Sequence, residues 1–466
     1  MSMAKSVAAA TALAAVLVIH AMSPAPAAAQ RGGRGGFNQP DPNLPTSPTA
    51  VALATISRPV TGPGTMYQSV QSLPPGRGLD HYGYEATEYF VSGTAAGAPY
   101  KTRIVVRKPA SAAGFSGLVL TEAMHPSGSA HMFEFTSNYL MASGHAAVEV
   151  VTGGLNVLTD HNKARYADIS VAGNQVSEIL AQVGALLKEG GANSPLSGQP
   201  VRKMVMGGTS ATSAILVRYL PAHMVYRTPG MRQIYDGYLP HSNGTTIPSV
   251  DVPLIQIPTM TEVRTGTATA RQDGDAPGDQ YRLYEFAGMA HVDSRDSVRL
   301  HPDPCVNPVT LFPLQAYVSV GLDHLFKWVD AGVTPPRAPR VLVDRNTSND
   351  GSLMALDAHG NPIGGIRNPY VDVPTAKNGV PNQGATPVIA NASAYVAAGG
   401  QAAANQMCGL AGYQIAMSKD TLRTLYGSTA NYTRLVQAKV DEMEAAGWSL
   451  PVYRELILAD AAAVDF

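Results

Sequence analysis

The chain of 466 residues holds only two cysteines, Cys305 and Cys408, and two tryptophans. So few cysteines exclude a disulfide-dense small scaffold and the clustered thiolates of structural zinc sites. Charge is scarce as well: 14% of the residues are Asp, Glu, Lys or Arg, and 33 basic against 34 acidic side chains give a formal net charge of -1. With no excess of either sign and no run of basic residues, the chain has no electrostatic footprint for nucleic acid or an anionic membrane. Low charge combined with 45% hydrophobic residues also excludes a disordered chain and leaves material for a large core. Long apolar runs are missing beyond the first thirty residues, so no membrane span is expected.

Those thirty residues have a pattern of their own. Lys5 supplies a charged start, residues 8–21 are apolar, and Ala27-Ala28-Ala29 before Gln30 fits a small-residue cleavage site, so residues 1–29 read as a signal peptide. A membrane anchor is the other reading, but about 15 apolar residues fall short of the roughly 20 that cross a bilayer. Residues 30–48 are rich in Gly, Arg, Pro and Asn and read as a flexible leader. The protein is therefore expected to be exported, periplasmic or secreted. In such an oxidising compartment Cys305 and Cys408 are expected to form a disulfide, two buried thiols being the alternative.

Strand-like and helix-like segments alternate along the rest, with no internal repeat. Residues 84–91, 102–106, 117–120, 146–151, 203–206, 253–257 and 281–286 are short and rich in Val, Ile, Leu, Tyr or Met. Helical spacing is present over 169–187, 211–220 and 311–333, the last with Pro313 in its first turn and Gly332 at its end. This alternation predicts an α/β fold with a mostly parallel sheet covered on both faces. Residues 49–333 are expected to form that core. Residues 334–466, with a hairpin signal at Asn349-Asp350-Gly351 and helices over 419–425 and 431–446, are expected to form an accessory extension packed on it.

One segment carries chemistry. Residues 203–206 form an apolar strand entering Gly207-Gly208-Thr209-Ser210-Ala211-Thr212, with a helix following. A serine at the apex of a strand-to-helix turn is exposed for nucleophilic attack, and the N–H of the residue after it, Ala211, is the expected oxyanion donor. Thr212 stands where such turns carry a second glycine, which predicts a slightly more open turn or a compensating small neighbour, a part Ala211 could play. The plain alternative is a Ser/Thr helix cap. Order then favours chemistry. The strand 253–257 leads into Pro258-Thr259-Met260-Thr261-Glu262, and the strand 281–286 into Ala287-Gly288-Met289-Ala290-His291. Ser210, Glu262 and His291 thus follow the order nucleophile, acid, base at the carboxyl ends of successive strands. Asp273, Asp275 and Asp279 are alternative acids. The cluster His291, Asp293, Asp296, His301 and Asp303 could instead suit a metal, although its spacing matches no metal motif, so no metal or cofactor is expected. The loop 121–128, with Glu122 and His125, is expected to line the pocket and to supply a second backbone oxyanion donor.

These residues, with Glu88-Tyr89-Phe90-Val91-Ser92-Gly93-Thr94, Tyr235-Asp236-Gly237-Tyr238-Leu239-Pro240, Tyr284-Glu285-Phe286, Gly360-Asn361-Pro362 and Cys408-Gly409-Leu410-Ala411-Gly412, form an ordered series. Over residues 84–456 the chain resembles the bacterial alpha/beta hydrolase domain family of exported, esterase-like proteins. The resemblance implies an α/β-hydrolase fold, a nucleophile at Ser210, a base at His291 and an acid in the segment Thr261-Glu262-Val263. Two positions depart from the family pattern: Ala211 replaces a glutamine and His125 an asparagine, both beside the expected oxyanion hole. The function expected is hydrolysis of a small-molecule carboxylic ester through an acyl-enzyme. An amidase, lactonase or acyltransferase using the same serine, a catalytically silent binding protein and a metal-dependent hydrolase are the alternatives. Oligomeric state is left open.

Overall fold

A computed structural model describes residues 44–466 other than 72, 265–270, 296 and 344–352. The expected signal peptide, most of the leader and the turn at Asn349-Asp350-Gly351 lie outside the described residues. The chain folds around a nine-stranded sheet. Its strands in chain order are β1 (Thr55–Ile56), β2 (Tyr84–Ala95), β3 (Ala98–Pro109), β4 (Leu118–Ala123), β5 (Ala146–Val150), β6 (Lys203–Thr209), β7 (Gly237–His241), β8 (Leu254–Gln256) and β9 (Tyr281–Leu283). Across the sheet they run β9-β8-β7-β6-β4-β5-β3-β2-β1. The six strands from β9 to β5 are parallel, and β3, β2 and β1 are added antiparallel at one edge.

The central strands β4 and β5 are buried at every residue. Two covered faces explain why these strands read as continuous apolar runs rather than as alternation. On one face lie α1 (His131–Ala142) and α5 (Leu314–Ala331), packed over Leu120, Val205, Leu239 and Ile255. On the other lie α2 (Val176–Glu189) and α3 (Ala211–Val225), over Val119, Val148, Met204 and Leu254. Gly332 ends α5 with φ 69, a left-handed conformation that a side chain disfavours. Strands β2 and β3 run several residues longer than their apolar centres, paired from Tyr84–Pro109 to Ala95–Ala98. Backbone pairing carries strand structure past the apolar stretch.

Residues 334–466 and the sheet belong to one compact unit. This segment contains an antiparallel pair, β10 (Ala376–Gly379) with β11 (Tyr413–Ala416), and α6 (Ala394–Ala411), which kinks at Gly400. Three further helices, α7 (Lys419–Tyr426), α8 (Thr429–Ala445) and α9 (Arg454–Ala462), share an apolar cluster of Leu422, Tyr432, Val436 and Ile457. Met443 and Tyr453 belong to the core over α1 and α5. Cys408 of α6 is disulfide-bonded to Cys305. No helix among the described residues is long and apolar enough to cross a membrane.

Candidate active site

Ser210 joins the end of β6 to the start of α3 with φ 53 and ψ -117, a backbone conformation that L-residues adopt only when their surroundings force it. Three contacts do the forcing. The Thr212 hydroxyl accepts from the Thr209 N–H and donates to the Thr209 carbonyl, both at 2.9 Å. The Ser210 N–H donates to the His241 carbonyl at 3.2 Å. A Cβ on Gly208 would lie 2.6 Å from the Thr212 carbonyl oxygen, so only glycine fits there. Thr212 therefore closes the turn that the sequence reading expected it to open. Its hydroxyl makes bonds that a second glycine could not.

His291 follows β9 in a loop that passes through Gly288 at φ 96. Its Nδ1 donates to Glu262 Oε1 at 2.7 Å. The other Glu262 oxygen accepts from the Thr259 N–H at 2.8 Å and from the Thr259 hydroxyl at 2.7 Å. Thr259 and Glu262 form a capping box on the short helix α4 (Met260–Val263), so the bonds that start the helix also orient the carboxylate. Burial would raise the Glu262 carboxyl. The charge and hydrogen bond of His291 and the two Thr259 donors outweigh it and hold the group below the usual carboxylate range. Because an ionised carboxylate only accepts, Nδ1 carries a proton in either state of the ring, and in the neutral ring Nε2 is left as an acceptor. Nε2 is buried and has no hydrogen-bond partner among the described residues.

Ser210 and His291 line the same cavity of about 190 Å³ with His125, His131, Phe135, Arg299, Tyr395, Met407 and Leu410. Tyr395, Met407 and Leu410 belong to α6, which the sequence reading did not find. The His291 N–H donates to the Leu410 carbonyl at 3.1 Å, so α6 both walls the cavity and holds the histidine loop.

The loop after β4 departs from expectation. Its N–H groups are already used: Met124 donates to Val150, His125 to Ser129 and Gly128 to His125, all carbonyls, while Ser127 donates to His125 Nδ1 at 3.1 Å. Pro126 has none, so residues 124–128 offer no backbone oxyanion donor. Glu122 is also corrected. Its oxygens accept from the Met132 and Phe133 amides at 2.9 Å each, at the N-terminus of α1, and it does not line the cavity. Burial pushes its carboxyl up to about 8 against the pull of those amides. His125 does line the cavity. Burial, followed by the nearby His131, lowers its pKa to about 3, and the bond from the Ser127 amide to Nδ1 places the ring proton on Nε2. Ala211 is the first residue of α3, where an N–H has no intrahelical acceptor.

The remaining acidic residues are engaged elsewhere. Asp273 pairs with Arg340, Asp275 with Arg282 and Arg337, and Asp279 with Arg271. His301 Nε2 bonds the Ser294 carbonyl at 2.7 Å, and the Asp303 carboxylate accepts from the Cys305 and Val309 amides at 2.9 Å each. Asp296 lies outside the described residues, among which no group of three or more His, Cys, Asp or Glu could hold a metal ion. His241 went unnoticed in the sequence. It is fully buried beneath Ser210, and its Nδ1 lies 2.7 Å from the Thr209 hydroxyl.

Comparison with known proteins bears on this arrangement. No curated protein matches the chain. Among solved structures it is similar to esterase Est22, at 12% identity and a TM-score of 0.27, over 38% of this chain and 64% of that one. It is also similar to a cold-adapted esterase from an Arctic intertidal metagenomic library, at 11% identity and a TM-score of 0.24, over 43% and 84% of the two chains. A third is LpqC, a poly(3-hydroxybutyrate) depolymerase from Bordetella parapertussis, at 10% identity and a TM-score of 0.32, over 55% and 92%. The chain thus spans a little under two thirds of the length of Est22. The profile of one family, described as alpha/beta hydrolase domain, matches residues 47–459. With its parallel sheet and strand-to-helix turn, the chain belongs to the alpha/beta hydrolase domain family.

Proposed function

We propose that this protein is a hydrolase, an exported serine esterase that works through an acyl-enzyme. The observation that carries the reading is the buried, unpartnered Nε2 of His291, which shares one cavity with Ser210 while Glu262 holds Nδ1. The Ser210 oxygen attacks the ester carbonyl carbon and its proton passes to His291 Nε2. Negative charge collects on the carbonyl oxygen. Two donors are suited to it: the Ala211 N–H at the start of α3, and the Nε2–H of His125, which takes the place of a second backbone amide. As the tetrahedral species collapses, the C–O bond to the alcohol breaks and His291 returns its proton to the departing oxygen. Water then attacks the acyl-enzyme, gives a proton to His291, and the released serine recovers it as the acid leaves. Export is supported by the signal-like first 29 residues and the Cys305–Cys408 bond.

The test is Ser210→Ala. Turnover of p-nitrophenyl butyrate should fall by at least about 10³-fold with the fold intact by circular dichroism. A fluorophosphonate should label wild type at Ser210 and leave the variant unlabelled. Undiminished turnover in Ser210→Ala would overturn the assignment.

A further inference from the structure

The cavity that holds Ser210 and His291 also holds a cation that the reaction does not use. Arg299 lines it among largely apolar neighbours, Phe135, Val292, Met407 and Leu410. The guanidinium is held on two sides: Nη2 donates to the Ser127 carbonyl at 3.1 Å, and the group lies 5.2 Å from the centre of the Tyr395 ring. The Arg299 carbonyl accepts from the Ser393 hydroxyl at 2.8 Å, which ties its backbone to the cap of α6. Ser127 and Tyr395 both line the cavity, so the group is fixed at the wall rather than free to sweep through solvent. A guanidinium has five N–H donors in a rigid fork that matches a carboxylate. One donor is used here, and no Asp or Glu lies within ion-pair distance among the described residues.

The two carboxylates at the same wall are engaged with other groups. Glu134 accepts from the Gln71 amide at 2.6 Å and pairs with His131 Nδ1 at 2.9 Å, and Asp293 accepts from the Arg295 amide at 2.9 Å. Arg103, Arg282 and Arg295, by contrast, are each held by an acid. Arg299 is held by a carbonyl and a ring, which position a guanidinium without neutralising it. A cavity with several apolar walls and a fixed cation that no acid neutralises among the described residues suits an amphiphilic substrate.

We infer that the substrate is an ester bearing a carboxylate on its acid or its alcohol half, and that Arg299 receives that carboxylate. The inference rests on the esterase reading above and adds the substrate class to it. Two matched pairs test it on the purified full chain: p-nitrophenyl hydrogen adipate against p-nitrophenyl hexanoate, and 4-carboxyphenyl butyrate against phenyl butyrate. In wild type at least one anionic member should have the higher kcat/KM. That preference should fall at least tenfold in Arg299→Gln, mainly through KM, and be partly restored in Arg299→Lys. A purely structural strap predicts instead that both members of each pair lose activity together, which overturns the inference, as does a wild type that prefers the neutral member of both pairs. Binding separates this inference from the reaction itself. Benzoate should bind Ser210→Ala at least tenfold more tightly than benzamide by calorimetry, and Arg299→Gln should abolish the difference. If benzoate shows that preference while no ester is turned over and Ser210 is not labelled, the esterase reading fails and the anion site stands. Equal binding of benzoate and benzamide removes the anion site whatever the esters do.

Discussion

At Ser210 a positive φ is held against its intrinsic cost, which for a non-glycine residue is of order 1–3 kcal/mol. Alanine keeps that cost and glycine does not. Ser210→Gly should therefore be more stable than Ser210→Ala by about 1 kcal/mol in urea denaturation, although neither turns over ester. An equal or reversed order would mean that the turn is not strained. Thr212 is the counterweight. Thr212→Val keeps the shape but removes both bonds to Thr209, and should cost about 1–2 kcal/mol along with a loss in kcat. His125→Ala leaves the Ala211 amide as the one remaining donor and should lower kcat about 10²-fold with little change in KM. Its neutral ring means that this contribution should not titrate between pH 5 and pH 8.

Among the elements, the capping box and α6 matter most to the site. Thr259 and Glu262 show how a helix start signal and a candidate catalytic acid can be one feature, and the spacing Thr259-Met260-Thr261-Glu262 was there to be read. Ser210, Glu262 and His291 were legible as candidates because each lies on the stretch that follows an apolar strand, a local pattern. Arg299, Tyr395 and Leu410 were not, because they reach the cavity by packing between segments distant in the chain. Helix α1 was hidden for another reason. It is buried at Met132 through Met141, so it has no polar face to set a 3.6-residue period. Helix α6 is rich in Ala, Gly and Gln and broken at Gly400, so it offers few apolar anchors to a sequence reading. Its seat depends on Cys408. Replacing Cys305 and Cys408 together by serine should lower stability, by up to roughly 4–5 kcal/mol on a chain-entropy estimate for a loop of this length. Esterase activity at 25 °C should fall by more than the folded fraction does, because the Leu410 carbonyl that anchors the His291 loop lies two residues from that bond. Activity that tracks the folded fraction would show that α6 keeps its place without the link.

For the molecule as a whole, the order of the sheet was within reach of the sequence as a class, parallel and doubly covered. The edge strands were foreshortened because only their apolar centres stand out. The buried histidines set an acid limit on the fold. Burial lowers His241 to about 3, and His145 and His324 to about 4, from an ordinary 6.5. Below about pH 6.5 the unfolded chain takes up protons that the folded protein refuses until near pH 3–4. Stability from these rings is thus complete above pH 6.5 and is lost as the pH falls through that window. Each ring contributes a slope of at most about 1.4 kcal/mol per pH unit. His324→Gln, remote from Ser210, should flatten the fall in urea stability between pH 6.5 and pH 4 relative to wild type. An unchanged slope would show that His324 is protonated in the folded state.

The bond from His291 to the Leu410 carbonyl also has a consequence in time. A chain emerging from its ribosome exposes Ser210, Glu262 and His291 well before α6 exists to wall the cavity and steady the base. If His291 is the base, catalytic competence should therefore arrive late in folding, with the docking of α6 rather than with the completion of the sheet.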